Sequence, residues 1–541
     1  MLERLVENWL DSASERSYQR CFCQMLTGQG FHIVHSTEHT PLEFGKDVIA
    51  VSPDGKLVGY QLKGHPDGTL KPRDFDSIRG QLEQLATLAV AIAGFEGRVP
   101  EECYLVTNGD IDEAVYHQIQ LLNASLVQRG HPPGKIRTIT RGQLLDWAQS
   151  LGLSLWPSEM QDFGNLVKLL NCSGDEMFPV QIFDPLLRNT LNFEGELKSA
   201  ELSRRVTSAG VMTAVALHSF SRQRNHVAEI TAWTMFATYS IAACEKNGID
   251  YSKHCSEAVL SARDSIYDLL GLLCEEASER RVMFEGDPYS EFAFYRPRLL
   301  LISALMAVYW IWSQGSTWTR PHHKALVEKL IPQALPPRWL WGEGAIPSFL
   351  TYIWFRKMVA PSDGNDMIVA KVLAALLRNK LGDDGEPLAS PYYDAEEVAQ
   401  HQYRELLGCP DPFEGDSFEG HSYSCESLLM CLVRSDLKMV CQELWPDFTK
   451  IGHERVVPDQ AWQFGLYRTG DAATNETKMY PPMMRWSELQ EICQESMAID
   501  VPAALKADPG LLLLFVNLFP FRATFSAVRF LHREFDEKTA V

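Results

Sequence analysis

EFGKDVIAVSPDGKLVGYQLKG, residues 43–64, decides the fold of the first part of this chain. Asp47-Val-Ile-Ala-Val51 is rich in β-branched residues and reads as a strand. Ser52-Pro-Asp-Gly55 places Pro and Gly where a tight turn needs them. Lys56 to Lys63 reads as the next strand, so the two form a hairpin. Alternate residues of a strand share a face, so Gln61 and Lys63 project together and Leu62 projects oppositely. Asp47 opens the neighbouring strand, and a hairpin can bring its carboxylate beside Gln61 and Lys63.

Outward from this hairpin, helices and strands alternate. Ser12 to Leu26 has helical periodicity with Tyr18, Phe22 and Met25 on one stripe, and Thr27-Gly-Gln-Gly30 ends it. Phe31 to His35 reads as a short strand. After the hairpin, Ile78, Leu82, Leu85, Ala89 and Ile92 mark one apolar helical face. Cys103–Thr107 reads as a strand closed by Asn108-Gly109, Ile111–Gln128 as a helix, Ile136–Ile139 as a strand and Gln143–Leu151 as a helix. The order α-β-β-β-α-β-α-β-α predicts an α/β domain over residues 1–157, a mixed sheet flanked by helices. The pattern changes near Leu153–Gly164. Residues 158–541 read as a large all-α region of one or two subdomains, with helices at Val227–Lys246, Ser256–Glu279, Arg298–Ser313, Asp366–Leu381, Ala395–Leu407 and Glu488–Met497. Ser487 and Gln490 make a capping box for the last. Gly470 to Pro482 reads as a surface loop, and no fixed-period repeat is present.

The 541 residues suggest two to four domains. A net charge of −20 excludes a general polyanion binder. Residues 1–157 carry 14 Lys and Arg against 19 Asp and Glu, so any nucleic-acid groove must be local. The 12 cysteines show no CxxC and no zinc-finger spacing, which predicts reduced thiols, no structural zinc and a cytoplasmic setting. The N-terminal MLERLVENWLDSASER reads as an amphipathic helix start rather than a signal peptide. The apolar runs Leu299–Trp312 and Leu511–Phe521 fall short of the ~20 residues a spanning helix needs, so both read as buried core helices.

Phosphodiester hydrolysis is the chemistry that uses the residues around Asp47. A hard divalent cation, Mg²⁺ or Mn²⁺, takes oxygen ligands. Asp47 would give the anionic oxygen, with Gln61 Oε1 and the Leu62 carbonyl beside it. A nearby ammonium, Lys63, can position water and offset developing negative charge. Just beyond, His65, Lys71, Arg73 and Arg79 are candidate substrate contacts, and Gly64–Asp76 reads as a Gly- and Pro-bearing loop that could follow a phosphate backbone. The plainer reading of those four is a solvated loop of mixed charge.

This stretch resembles the PD-(D/E)xK nuclease superfamily, and within it the Mrr-like restriction endonuclease branch, which often has QxK. Gly30-Phe-His-Ile-Val34, Gly45-Lys-Asp47, Gln61-Leu-Lys63, Gln81 or Gln84 in the next helix, and Thr107-Asn-Gly109 carry the likeness, over residues 12 to about 152. It implies a Mg²⁺-dependent endonuclease acting on DNA ahead of RNA. Such fusions look like restriction or anti-phage effectors whose appended domain senses a trigger or restrains the nuclease. The family commonly has a Glu after an aromatic residue in the first helix, whereas here Gln19 follows Tyr18; Glu15 or Glu43 would then supply the second carboxylate. Expected partners are nucleic acid and either a second copy of the chain or a defence-system protein, with no membrane. A binding module of the same fold without catalysis, and an RNA-directed nuclease, are the rival readings.

Outside this region the signals are thin. His322 and His323 are adjacent in a helix and point apart. Cys425 and Cys431 lack ligand spacing. Arg204-Arg205, Arg222 and Arg224 read first as surface charge, with nucleic-acid contact as the alternative.

Overall fold

The computed structural model describes residues 2–36, 46–64, 68–90, 92, 94–150, 160–280, 296–314, 321–332, 340–361, 364–382, 420–467, 473–494 and 500–537. It divides into two compact units, Met1–Leu269 and Leu270–Val541.

The first unit begins with α1 (Leu2–Ser12) and α2 (Glu15–Gly28), then β1 (His32–Ser36), β2 (Val48–Val51) and β3 (Leu57–Lys63). After β4 (Thr69–Leu70) come α3 (Pro72–Thr87), β5 (Glu102–Thr107), β6 (Asp110–Ile111), α4 (Glu113–Gln128), β7 (Ile136–Ile139) and α5 (Arg141–Ser150). Five strands make one sheet in the order β1-β2-β3-β5-β7. The first three run antiparallel, and β3, β5 and β7 run parallel. The β2–β3 turn closes as its residues dictate: Gly55 has φ +84°, and the Ser52 amide donates to the Lys56 carbonyl at 2.9 Å. β3 is central, so both faces are covered and its burial is nearly continuous.

Each face of the sheet has its own helix layer. Gly59, Gln61 and Lys63 lie beside Cys103, Leu105 and Thr107 of β5. Leu85 of α3 closes on Gly59, where a Cβ would meet Leu85 Cδ1 at 2.6 Å. Phe75, Ile78, Leu82 and Leu85 of α3 pack in one cluster with Val115, Ile119, Leu122 and Leu126 of α4 and with Cys103 and Leu105. Oppositely, Tyr60 stacks on Tyr104 and meets the edge of Phe22 in α2, which stacks on Trp147 of α5.

Seven helices follow: α6 (Met160–Leu170), α7 (Val180–Thr190), α8 (Ser199–Ala216), α9 (His218–Arg222), α10 (His226–Lys246), α11 (Tyr251–His254) and α12 (Ser256–Glu279). The unit boundary falls within α12. The sheet and the helices up to that point share one packed unit, because α2 has two working faces. Arg20 pairs with Glu229 of α10, and Gln24 Nε2 donates to the Ala258 carbonyl at 3.1 Å. Compactness therefore groups residues 160–269 with the sheet, although their helical content sets them apart near residue 157.

The second unit is mainly helical, with long helices at Arg296–Ser313, Ile346–Val359 and Gly364–Lys380. It is not all-α. Gly452–Pro458 pairs with Ala473–Lys478 antiparallel and with His421–Ser422 in parallel. This corrects both the all-α expectation and the loop expected at Gly470–Pro482. After Ala473, Thr474-Asn-Glu-Thr-Lys478 is polar throughout, and the partner across the sheet, not the segment's own pattern, makes it a strand. The last expected helix runs Trp486–Gln494, and the Glu488 side chain accepts from the Arg485 amide, so Ser487 is not its cap. Ala395–Leu407 lies outside the described residues. Both apolar runs are buried in core helices, and among the described residues no helix is long and apolar enough to cross a membrane.

Candidate active site

Parallel pairing of β3 with β5 brings their carboxyl ends together, the edge at which open α/β sheets receive ligands. The junction between α1 and α2 lies over this edge. Asn108 Nδ2 donates to the carbonyls of Leu10 at 2.7 Å and Ala13 at 3.0 Å, and Tyr18 Oη donates to the Val106 carbonyl at 3.2 Å. The start of α2 comes so close that a Cβ on Gly64 would stand 2.9 Å from the Glu15 backbone nitrogen. Gly64 is thus required by close approach, not by turn geometry.

Asp47 is 3% exposed, and its amide donates to the Tyr60 carbonyl at 3.0 Å. Its Oδ2 accepts from the Leu62 amide at 2.6 Å and from Gln61 Nε2. A buried carboxylate needs such donors to its charged form. Gln19 Nε2 reaches the Asp47 carbonyl at 3.4 Å and Ser36 Oγ at 3.3 Å, so it braces the backbone of this residue. Gln61 is 1% exposed, and its Oε1 is buried without a hydrogen-bond partner among the described residues. Its Nε2 also lies 3.4 Å from the Leu62 carbonyl.

Lys63 Nζ is 3.3 Å from Glu15 Oε1, and the Gly64 amide donates to Glu15 Oε2 at 3.2 Å. Both charged side chains are one-fifth exposed, at 20% each. Solvent therefore reaches the Glu15–Lys63 pair, with Asp47 and Gln61 behind it. Tyr18 lies beside this set. Burial first, then the charges of Glu15 and Asp47, hold its phenol pKa well above the ordinary value, so it stays a neutral donor.

Asp47, Gln61, Leu62 and Lys63 thus converge as the strand pattern predicts, and Glu15 joins them. Glu43 and His65 lie outside the described residues. Lys71, Arg73 and Arg79 do not lie in one loop: β4 and α3 break up the expected Gly64–Asp76 loop because Pro72 starts a helix at its first turn. Lys71 is the N-cap of α3, and Arg73 and Arg79 are exposed along it. No local signal in the sequence joins Glu15 to Lys63, 48 residues apart; only the helix packing does so.

The donor set suits a hard cation: one buried carboxylate, one amide oxygen lacking a partner among the described residues and one backbone carbonyl. Among the described residues no group of three or more His, Cys, Asp and Glu converges. A cation here would depend on neutral oxygens as well as charge. Compared with known proteins, the chain matches no family model, and no curated protein or solved structure matches it.

Proposed function

We propose that the sheet region is a metal-dependent nuclease of the PD-(D/E)xK type, hydrolysing phosphodiester bonds of DNA. One observation carries this reading: the Asp47 carboxylate, the Gln61 Oε1 that has no partner among the described residues, and the Lys63 ammonium gather where two parallel strands end. Asp47, Gln61 and the Leu62 carbonyl would hold Mg²⁺ or Mn²⁺. A cation bound there would lower the pKa of its water and offset phosphoryl charge. A half-turn of the Gln61 amide would bring Oε1 to Asp47 in place of Nε2. Lys63 Nζ places positive charge at the solvent side, where a phosphate would lie. Glu15 fixes that ammonium and turns the Gly64 amide toward the same place.

The role as an effector of restriction or anti-phage defence, with the helical parts sensing or regulating, rests on the resemblance and the architecture. The test is incubation of purified protein with plasmid DNA and Mg²⁺ or Mn²⁺, beside Lys63→Ala; metal-dependent cutting lost in the variant supports the reading, and no cutting by the wild type removes it. A second reading, a nuclease fold that binds without cutting, is favoured by Asp47 Oδ2 already accepting two hydrogen bonds. An RNA panel separates DNA from RNA as substrate.

A further inference from the structure

Three positive groups meet where β3 ends. Lys63 Nζ and the Gly64 amide both donate to the carboxylate of Glu15, at 3.3 Å and 3.2 Å. Each takes a different oxygen, so the two donors converge on one two-oxygen anion. The third group is the N-terminus of α2, which begins at Glu15. A Cβ on Gly64 would stand 2.9 Å from the Glu15 nitrogen, so the end of β3 lies against that helix start. The first turn of a helix carries partial positive charge and favours an anion beside it. Asp47, behind them, has its own donors in the Leu62 amide and Gln61 Nε2.

A phosphodiester has the same form as this carboxylate: one negative charge shared by two oxygens on a single atom. An ammonium, a backbone amide and a helix N-terminus are the partners a phosphate ordinarily takes from protein. The Glu15 carboxylate is also replaceable. Its contacts are longer than the ~2.7–2.9 Å of a tight charge-assisted bond. Glu15 and Lys63 are each 20% exposed, and an ion pair open to water holds weakly. Only the side chain has to turn away, because Tyr18 on Val106, and Asn108 on Leu10 and Ala13, fix the backbone around the start of α2.

We infer that the Lys63 ammonium and the Gly64 amide form a phosphate subsite of the candidate active site, which the Glu15 carboxylate fills until a substrate phosphodiester displaces it. The inference rests on the nuclease reading and gives that site a built-in competitor for its substrate. It is tested by anisotropy of a short fluorescein-labelled DNA duplex in EDTA across a NaCl series, with Glu15→Gln made in the wild type and in Lys63→Ala, beside metal-dependent plasmid cutting by the wild type. Glu15→Gln keeps the size of the side chain and removes its charge. It is expected to bind the duplex about twofold to fivefold tighter, the strength of a partly exposed ion pair that binding no longer has to break. The slope of log affinity against log salt should steepen by about 1, because Lys63 is then free to replace one counterion. In Lys63→Ala the same change should leave the slope where it was. If the wild type cuts but Glu15→Gln binds no tighter and keeps its slope, Glu15 only braces the helix start; that result overturns the inference and leaves the nuclease reading standing. A slope that steepens equally in both backgrounds also overturns it, since the gain then comes from net charge and not from Lys63. If the wild type neither binds nor cuts DNA, the nuclease reading fails and this inference falls with it.

Discussion

Gln61→Glu probes the candidate site most directly, because it changes one atom at its most buried point. In the wild type, Gln61 Nε2 donates to Asp47 Oδ2. The substitution replaces that donor with a carboxylate oxygen at hydrogen-bonding distance from a carboxylate that is 3% exposed. A hydrogen bond to a charged group contributes about 1.5–3 kcal/mol, and like charges now oppose each other as well. Without metal, a loss of about 3 kcal/mol is expected at pH 8, or roughly 6–12 °C in Tm for a unit of this size. The pH dependence has a definite sign. The neighbour raises the folded-state pKa of the new carboxyl above its unfolded value of about 4.3, so the folded form holds the extra proton. Stability is then regained as pH falls toward 5, where a protonated carboxyl can donate to Asp47 as the amide did, and it is lost as pH rises. A cation between the two carboxylates reverses the penalty: Mn²⁺ at 100 times its Kd returns about 2.7 kcal/mol. Thermal melts of both proteins at pH 5 and 8, with and without Mn²⁺, measure this. Equal Tm values for the two metal-free proteins at pH 8 would refute the Gln61–Asp47 contact. A penalty that Mn²⁺ leaves unchanged would refute the metal site.

Asp47→Ala and Lys63→Ala are each expected to lower cleavage by roughly 10²–10³, about 3–4 kcal/mol, with far-UV circular dichroism unchanged; full activity in either, or wild-type activity in EDTA, removes the assignment. Glu15→Ala should lower Mn²⁺ affinity only slightly in calorimetry, because this carboxylate holds Lys63 and Gly64, and a loss as large as that of Asp47→Ala would make it a ligand. In the second unit, Lys380 and Glu343 form a buried ion pair at 3.2 Å, 1% and 0% exposed, so Lys380→Met should cost about 3–5 kcal/mol in urea unfolding by stranding the Glu343 charge. Burial holds His35 at a pKa of about 4 and lowers that of His453. Both folded values lie below the unfolded one, so their stabilisation is complete above about pH 6.5 and is lost as pH falls toward 4. His35 alone accounts for about 2 kcal/mol between pH 6.5 and 5, and His35→Gln should flatten that part of the urea midpoint profile.

The hairpin, the strands at Cys103–Thr107 and Ile136–Ile139, and the helices between them were legible because their signals are local. Alternation, β-branching, a Pro-Asp-Gly turn and three-four spacing act within a few residues, and nearest neighbours decide them. The same alternation placed Gln61 and Lys63 on one face. By itself the sequence therefore determined the α/β order of the first part, the helical weight of the rest and the core of the candidate site.

Tertiary structure decided what depends on distant partners. Glu15 reaches Lys63 only because Gly64 lets α2 approach the end of β3. Ala473–Lys478 is a strand only because Gly452–Pro458 offers it an open edge. The helices up to Leu269 belong with the sheet because α2 binds α8 and α10 through the face turned away from the site, as its Arg20–Glu229 pair shows. In each case the deciding energy lies between residues tens to hundreds of positions apart, and no local pattern encodes which of the many such pairs will form.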